Sequence, residues 1–242
     1  MYMQTPPSPP VKPVTRLWQP ALTRLPRLTP ARRAFRGFML GLLRILSFIC
    51  LRPSVHGLEN FPRQGPALVV INHLGDADTA LLASALPVTP DALGMIELYA
   101  QPILGKLFDW YGIIWLHRGQ PDRRALRAAL KGLAEGRIMI IAPEGRYSLM
   151  DGLEPGGNGA AYLALKSDAP IVPVALTGTE NASVFGHLRR LRRAPVTLTV
   201  GVPFHLTNQA DRQDALRAGT RQTMTALAGL LPVEYRGVYR QP

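Results

Sequence analysis

From residue 54 onward the apolar positions fall into two alternating kinds of stretch. Runs at 67–71, 113–116, 137–142, 171–176 and 196–202 have the length and branched composition of buried strands. Stretches at 79–86, 103–111, 121–134, 159–167 and 211–231 carry apolar residues at helical spacing and predict helices. This alternation predicts an α/β fold, a mixed, largely parallel β-sheet flanked by helices. No internal repeat is visible. In such a sheet ligands bind beyond the carboxyl ends of the strands, so polar residues immediately after a predicted strand carry the most functional weight.

The front of the chain has a different pattern. Residues 1–30 contain prolines 6, 7, 9, 10, 13, 20, 26 and 30, a density that prevents a continuous helix and predicts a basic, poorly ordered lead. Across 31–53 the prolines stop until Pro53, and Phe35, Phe38, Met39, Leu42, Leu43, Leu46 and Ile49 recur at helical spacing, interrupted by Arg36 and Arg44. A spanning helix needs about 20 mostly apolar residues, and an arginine near the middle of this one is costly at a bilayer centre. An amphipathic helix lying in the membrane surface is therefore expected. A cleaved targeting segment and an ordinary helix packed on the domain are the alternatives. Residues 54–242 form the remaining domain.

Charge sharpens this picture. The formal net charge is +12, and no carboxylate precedes Glu59, so the basic excess sits at the front and favours an anionic membrane surface as partner. A second basic cluster, Arg189, Arg190, Arg192 and Arg193, has no accompanying nucleic-acid module. It is read as a contact for anionic lipid, an acidic carrier protein or the phosphates of coenzyme A, and no nucleic-acid partner is expected. The single cysteine, Cys50, excludes an internal disulfide and a Cys-x-x-Cys pair.

Three post-strand segments offer chemistry. The run at 67–71 leads into Asn72-His73-Leu74-Gly75-Asp76-Ala77-Asp78, where a histidine is a candidate general base and a carboxylate its orienting acid. Helical spacing alone favours Asp76, although Gly75 permits a turn. The run at 113–116 is followed by His117-Arg118-Gly119, and that at 137–142 by Pro143-Glu144-Gly145-Arg146-Tyr147-Ser148. Arginine suits phosphate oxygens, and glycine lets a backbone approach an anion. His73, Asp76 and Asp78 also contain metal-ligand types, but no second histidine stands at a zinc-like spacing, and no metal is expected.

The segment from Val55 to Pro62, followed by Gly65-Pro66-Ala67-Leu68-Val69-Val70-Ile71-Asn72-His73 and Asp78, resembles the opening of the glycerolipid acyltransferase family, with its His-x-x-x-x-Asp signature. Gly112–Arg118, Pro143-Glu144-Gly145 and Val172-Pro173-Val174 resemble its second, third and fourth blocks, so the similarity runs from about Val55 to about Leu176. The resemblance implies His73 as general base on an acceptor hydroxyl, supported by Asp78. It also implies acceptor or donor binding by Arg118, Glu144, Gly145, Arg146 and Pro173. The acyl group would arrive as acyl-CoA or acyl-acyl carrier protein, a co-substrate rather than a cofactor, with no covalent acyl-enzyme. The implied reaction acylates a lysophospholipid, foremost 1-acylglycerol-3-phosphate to give phosphatidic acid, on the cytoplasmic face of the cell membrane as a peripheral or monotopic protein. An acyltransferase for a different lipid acceptor and a non-catalytic lipid-binding relative are the alternatives. Two departures bear on the acceptor. The family's third block commonly reads Glu-Gly-Thr-Arg-Ser, whereas here Arg146 comes one place early and Tyr147 follows it. Met95 and Ile96 also stand where lysophosphatidate-specific members often carry lysines.

Overall fold

The computed structural model describes residues 12–119, 121–148 and 152–240. Strands β1 (Leu51–His56), β2 (Ala67–Ile71), β3 (Asp91–Met95), β4 (Ile114–Leu116), β5 (Ile138–Ile141), β6 (Ile171–Thr177) and β7 (Ala194–Val200) form one sheet in the order β1-β7-β6-β2-β5-β3-β4. Every neighbouring pair is parallel except β6 with β7. The helices are α1 (Pro30–Cys50), α2 (Ala77–Ala85), α3 (Leu104–Tyr111), α4 (Arg123–Ala134), α5 (Gly159–Ser167), α6 (Asn181–Leu188) and α7 (Arg212–Gly229). The predicted α/β architecture is the one observed.

Alternation along β2 builds the two halves of the core. Leu68 and Val70 face Leu133, Met139, Leu163 and Leu227 from the α4, α5 and α7 side, while Val69 and Ile71 face Leu81 and Leu82 of α2. A central strand with both faces buried reads as a continuous apolar run, as 67–71 does. Three elements escaped the sequence pattern for the opposite reason. In β1 only Leu51 is buried, and this strand at the sheet edge includes Pro53, a residue that edges tolerate. The Asp91–Met95 strand includes Gly94 and starts on a buried aspartate, and α6 is short, with only Val184 buried.

The two arginines that interrupt the apolar pattern of α1 tie the helix to the domain. Arg36 Nη1 donates to Asp91 Oδ1 at 2.7 Å, and its Nη2 donates to the Thr89 and Pro90 carbonyls at 3.0 and 2.8 Å. Arg44 Nε donates to the Ala83 carbonyl, and the Ser47 hydroxyl meets that of Ser84. Phe38, Ile45, Phe48 and Ile49 are exposed. No described helix is long and apolar enough to cross a membrane.

The described part of the lead, residues 12–29, was expected to be poorly ordered but carries specific contacts. Leu17 and Leu22 pack on Ile96, Ile113 and Trp115, and Arg137 Nη1 donates to the Pro26 carbonyl. This strap packs on the face of the β4 segment that carries Ile113 and Trp115, at the terminal strand of the sheet on that side. Prolines keep it from forming a continuous α-helix, leaving a single 3-10 turn at Pro20–Leu22, without preventing side-chain packing.

Candidate active site

The carboxyl ends of β2 and β5 lie side by side, and the loops that leave them bring His73 next to the segment 143–148. Asp78, in the first turn of α2, reaches back so that one oxygen, Oδ2, accepts from His73 Nδ1 at 2.6 Å, Leu74 N at 2.8 Å and Gly75 N at 3.2 Å. The Asp78 side chain is 1% exposed and that of His73 30%. A buried carboxylate held by two backbone donors fixes the ring's orientation and places the proton on Nδ1. Among the described residues Nε2 has no hydrogen-bond partner, which leaves it as the basic atom. Gly75 is required at the turn, because a Cβ there would lie 2.5 Å from the Thr179 carbonyl oxygen and from Asn181 Oδ1.

Asp76, the acid favoured by helical spacing, is used differently. Its Oδ1 accepts from the Tyr147 hydroxyl at 2.7 Å and its Oδ2 from Asn181 Nδ2 at 3.0 Å. Tyr147 stands edge-on to the His73 ring, centroids 4.3 Å apart. Burial, the bond to Asp76 and that residue's charge push the Tyr147 hydroxyl well above its ordinary pKa, so it stays protonated and donates.

The loop after β5 turns at Gly145, whose φ of +74° lies in the left-handed region. Glu144 is fully buried. Its Oε2 accepts from Ser148 Oγ and Glu154 N, both at 2.8 Å, and Ser148 N in turn donates to the His73 carbonyl at 2.8 Å. Burial pushes the Glu144 carboxyl up, against the pull of these donors and of the His73 backbone N–H. Glu144 therefore braces the loop against the histidine's backbone. Arg146 Nε and Nη2 donate to Glu154 Oε2 at 2.8 and 2.6 Å, in a pair whose side chains are 7% and 1% exposed. The one-place shift of the arginine thus has a structural outcome: Tyr147 flanks His73, and Arg146 is engaged by Glu154.

Arg118 follows β4. Neighbouring strands are about 4.8 Å apart, so the end of β4, three strands from β2, lies on the order of 14 Å from the end of β2. Arg118 Nη2 donates to Glu97 Oε1 at 3.0 Å. Burial alone would raise Glu97, but its own backbone N–H and the bonds from Arg118 and Thr15 outweigh it and hold the carboxyl below the ordinary range. Pro173 lies within β6, buried and opposite Val70, with its carbonyl accepting from Gly201 N. The structure thus gathers His73, Asp78, Glu144, Gly145 and Arg146 at one place, sets Arg118 across the same sheet end, and puts Pro173 inside the sheet. Glu154, Tyr147 and Glu97 were given no site role from the sequence, because the role of each is defined by a partner that the fold supplies. Among the described residues no group of acids, histidines and cysteine is arranged to hold a metal ion.

Comparison with known proteins shows the family. The family model described as Acyltransferase matches residues 52–177, a span that runs from β1 through β6 and contains every site residue above. The chain belongs to the acyltransferase family that includes the glycerolipid acyltransferases. It is 26% identical over 178 residues to the chloroplastic 1-acyl-sn-glycerol-3-phosphate acyltransferase BAT2 of Brassica napus, covering 72% of this chain and 52% of that protein. It is 30% identical over 163 residues to a lyso-ornithine lipid O-acyltransferase of Pseudomonas aeruginosa, covering 66% and 60%. The chain spans about half the length of the first curated relatives it matches. The solved 1-acyl-sn-glycerophosphate acyltransferase PlsC of Thermotoga maritima shares the fold, with a TM-score of 0.61 at 22% identity over 84% of this chain and 83% of that one.

Proposed function

We propose that this protein transfers a fatty acyl group from an acyl thioester of coenzyme A or acyl carrier protein to a free hydroxyl of a lysophospholipid, with 1-acylglycerol-3-phosphate as acceptor and phosphatidic acid as product. The observation that carries the reading is His73 held at Nδ1 by the buried Asp78, with Nε2 lacking a hydrogen-bond partner among the described residues. In the proposed step Nε2 takes the acceptor hydroxyl proton as that oxygen attacks the thioester carbonyl. The tetrahedral intermediate collapses, the carbon–sulfur bond breaks, and the imidazolium returns the proton to the departing thiolate. Asp78 keeps its negative charge and stabilises the imidazolium. Arg118 is the group assigned to the acceptor phosphate, while Glu144, Gly145 and Arg146 keep the neighbouring loop in register with the base.

A second reading, an acceptor whose headgroup lacks a phosphate monoester, is favoured by Arg146 being held by Glu154 and by the lipid named for the Pseudomonas relative. Labelled acyl-CoA and acyl-acyl carrier protein, offered with lysophosphatidate and with lysolipids lacking a phosphate monoester, separate the two. The first reading predicts at least about tenfold higher kcat/KM for lysophosphatidate, the worth of a charged hydrogen bond. A clear preference for another lysolipid would establish the second, and lipid binding without transfer would leave only a lipid-binding role.

The same reading places the protein peripherally on the cytoplasmic face of the cell membrane, through the basic front and the exposed apolar residues of α1. Replacing both Phe38 and Phe48 with aspartate, at positions 67% and 72% exposed, is expected to weaken binding to phosphatidylglycerol vesicles about tenfold or more without lowering the unfolding midpoint. Unchanged vesicle binding would contradict the membrane role of the helix.

A further inference from the structure

The strap that precedes α1 runs across the same sheet end as the site. Lys12 Nζ donates to the Pro155 carbonyl at 2.8 Å, next to Glu154. Three residues later, Thr15 Oγ1 donates to Glu97 Oε1 at 2.9 Å and lies 2.6 Å from Arg118 N, while Thr15 N donates to the Arg118 carbonyl at 3.0 Å. Three residues of chain span at most about 10 Å, so Lys12 and Thr15 bridge the loop after β5 and the turn after β4 directly. From Lys12 the connection runs through Glu154 and Glu144 to Ser148, whose backbone N–H bonds the His73 carbonyl. Trp18 continues the strap against His117, with centroids 4.7 Å apart, and the Gln19 N–H donates to His117 Nε2.

Charge gives this bridge a purpose. Arg118 and Arg146 each face a carboxylate, Glu97 and Glu154, so the two arginines bring little net positive charge to an anionic headgroup. Lys12 adds a further cation beside Glu154 and Arg146; partial burial holds its ammonium below the ordinary lysine pKa, against the pull of Glu154 and Glu144. Arg118 Nε and Glu97 Oε2 are buried with no partner among the described residues, which marks the Thr15 end of the bridge as incompletely satisfied by protein.

We infer that residues 12–19 form a wall of the acceptor site, in which Lys12 contacts the anionic headgroup of the lysolipid and Thr15 positions Arg118 beside it. The inference rests on the acyl-acceptor reading above and adds to it a specificity element outside the matched family region, in a segment whose apolar packing through Leu17 and Leu22 alone would not call for a lysine.

The test compares full-length wild type, Lys12→Ala and Lys12→Arg for lysophosphatidate binding, followed by tryptophan fluorescence, and for transfer kinetics. Uncharged monoacylglycerol serves as the binding control. Lys12→Ala is expected to weaken lysophosphatidate binding and raise its KM about tenfold, with kcat, the KM for acyl thioester and monoacylglycerol binding unchanged, and Lys12→Arg is expected to restore both. Thr15→Val is expected to raise the acceptor KM in the same way and to leave the KM for the thioester alone. Wild-type binding of lysophosphatidate that is lost in Lys12→Ala, in a protein that transfers nothing, would support the wall and overturn the proposed function. Transfer by the wild type with unaltered acceptor binding in Lys12→Ala would keep the function and overturn the wall. A wild type that binds lysophosphatidate no better than monoacylglycerol would overturn it too.

Discussion

Replacing His73 with alanine is expected to lower acyl transfer by about 10²–10⁴-fold, the usual contribution of a positioned general base, while the urea unfolding midpoint changes little. The two outcomes separate because the histidine is only the outer member of the pair. Its side chain is partly exposed, and without it Asp78 still accepts from Leu74 N and Gly75 N. The loop that these bonds close also keeps its anchor to the segment after β5, since Ser148 bonds the backbone carbonyl of residue 73 rather than its ring. The change should therefore appear in kcat with lysophosphatidate at saturation. Transfer at the wild-type rate would remove His73 from the chemistry.

The largest expected effect on stability lies far from that loop. Arg36→Ala is expected to cost about 3–5 kcal/mol, read from urea unfolding, because removing one partner of a buried ion pair leaves the other buried charge without its full compensation. Arg36 and Asp91 have side chains 5% and 4% exposed. Among the described residues Asp91 would retain Arg137 as its one cationic partner, with Nη1 3.4 Å from Oδ2, and the Thr89 and Pro90 carbonyls would lose their donor. The guanidinium also lies over the Tyr111 ring at 4.7 Å, so the substitution loosens α1 from β3 and α3 together. A loss below about 1 kcal/mol, the range of surface pairs, would contradict the role of Arg36 as the anchor of α1.

This anchor also shows what was legible beforehand and what was not. In the sequence Arg36 and Arg44 are charges that spoil an apolar helix, and a period-based reading can only count them against membrane insertion. Their partners, Asp91 and the Ala83 carbonyl, come from segments far along the chain. The central strands were legible because both faces of β2, β5 and β6 are buried and their residues, up to Thr177 at the end of β6, are apolar. Edge strand β1 and the Gly-containing β3 were not, since neither carries an uninterrupted apolar run.

The site divides in the same way. The position of His73 at the end of a strand could be read directly, and so could the choice between two acids as an open question. Spacing favoured Asp76 on the premise that the histidine shares the helix. In the fold His73 precedes the helix, Gly75 turns the chain tightly against Thr179 and Asn181, and the first turn of α2 brings Asp78 back. The resemblance pointed to Asp78, and the local geometry explains why it is the closer acid. The displaced arginine of the third block had no legible destination, because Glu154 sits eight residues on, a separation beyond helical neighbour spacing.

The most direct measurement is the fate of the labelled acyl chain when the purified wild-type protein is given acyl thioester and lysophosphatidate together. Label is expected to enter phosphatidic acid, with release of one thiol for each product formed and none of the label retained on the protein. Label recovered only as free fatty acid, or thioester left intact with either donor and every lysolipid offered, would contradict the proposed acyl transfer.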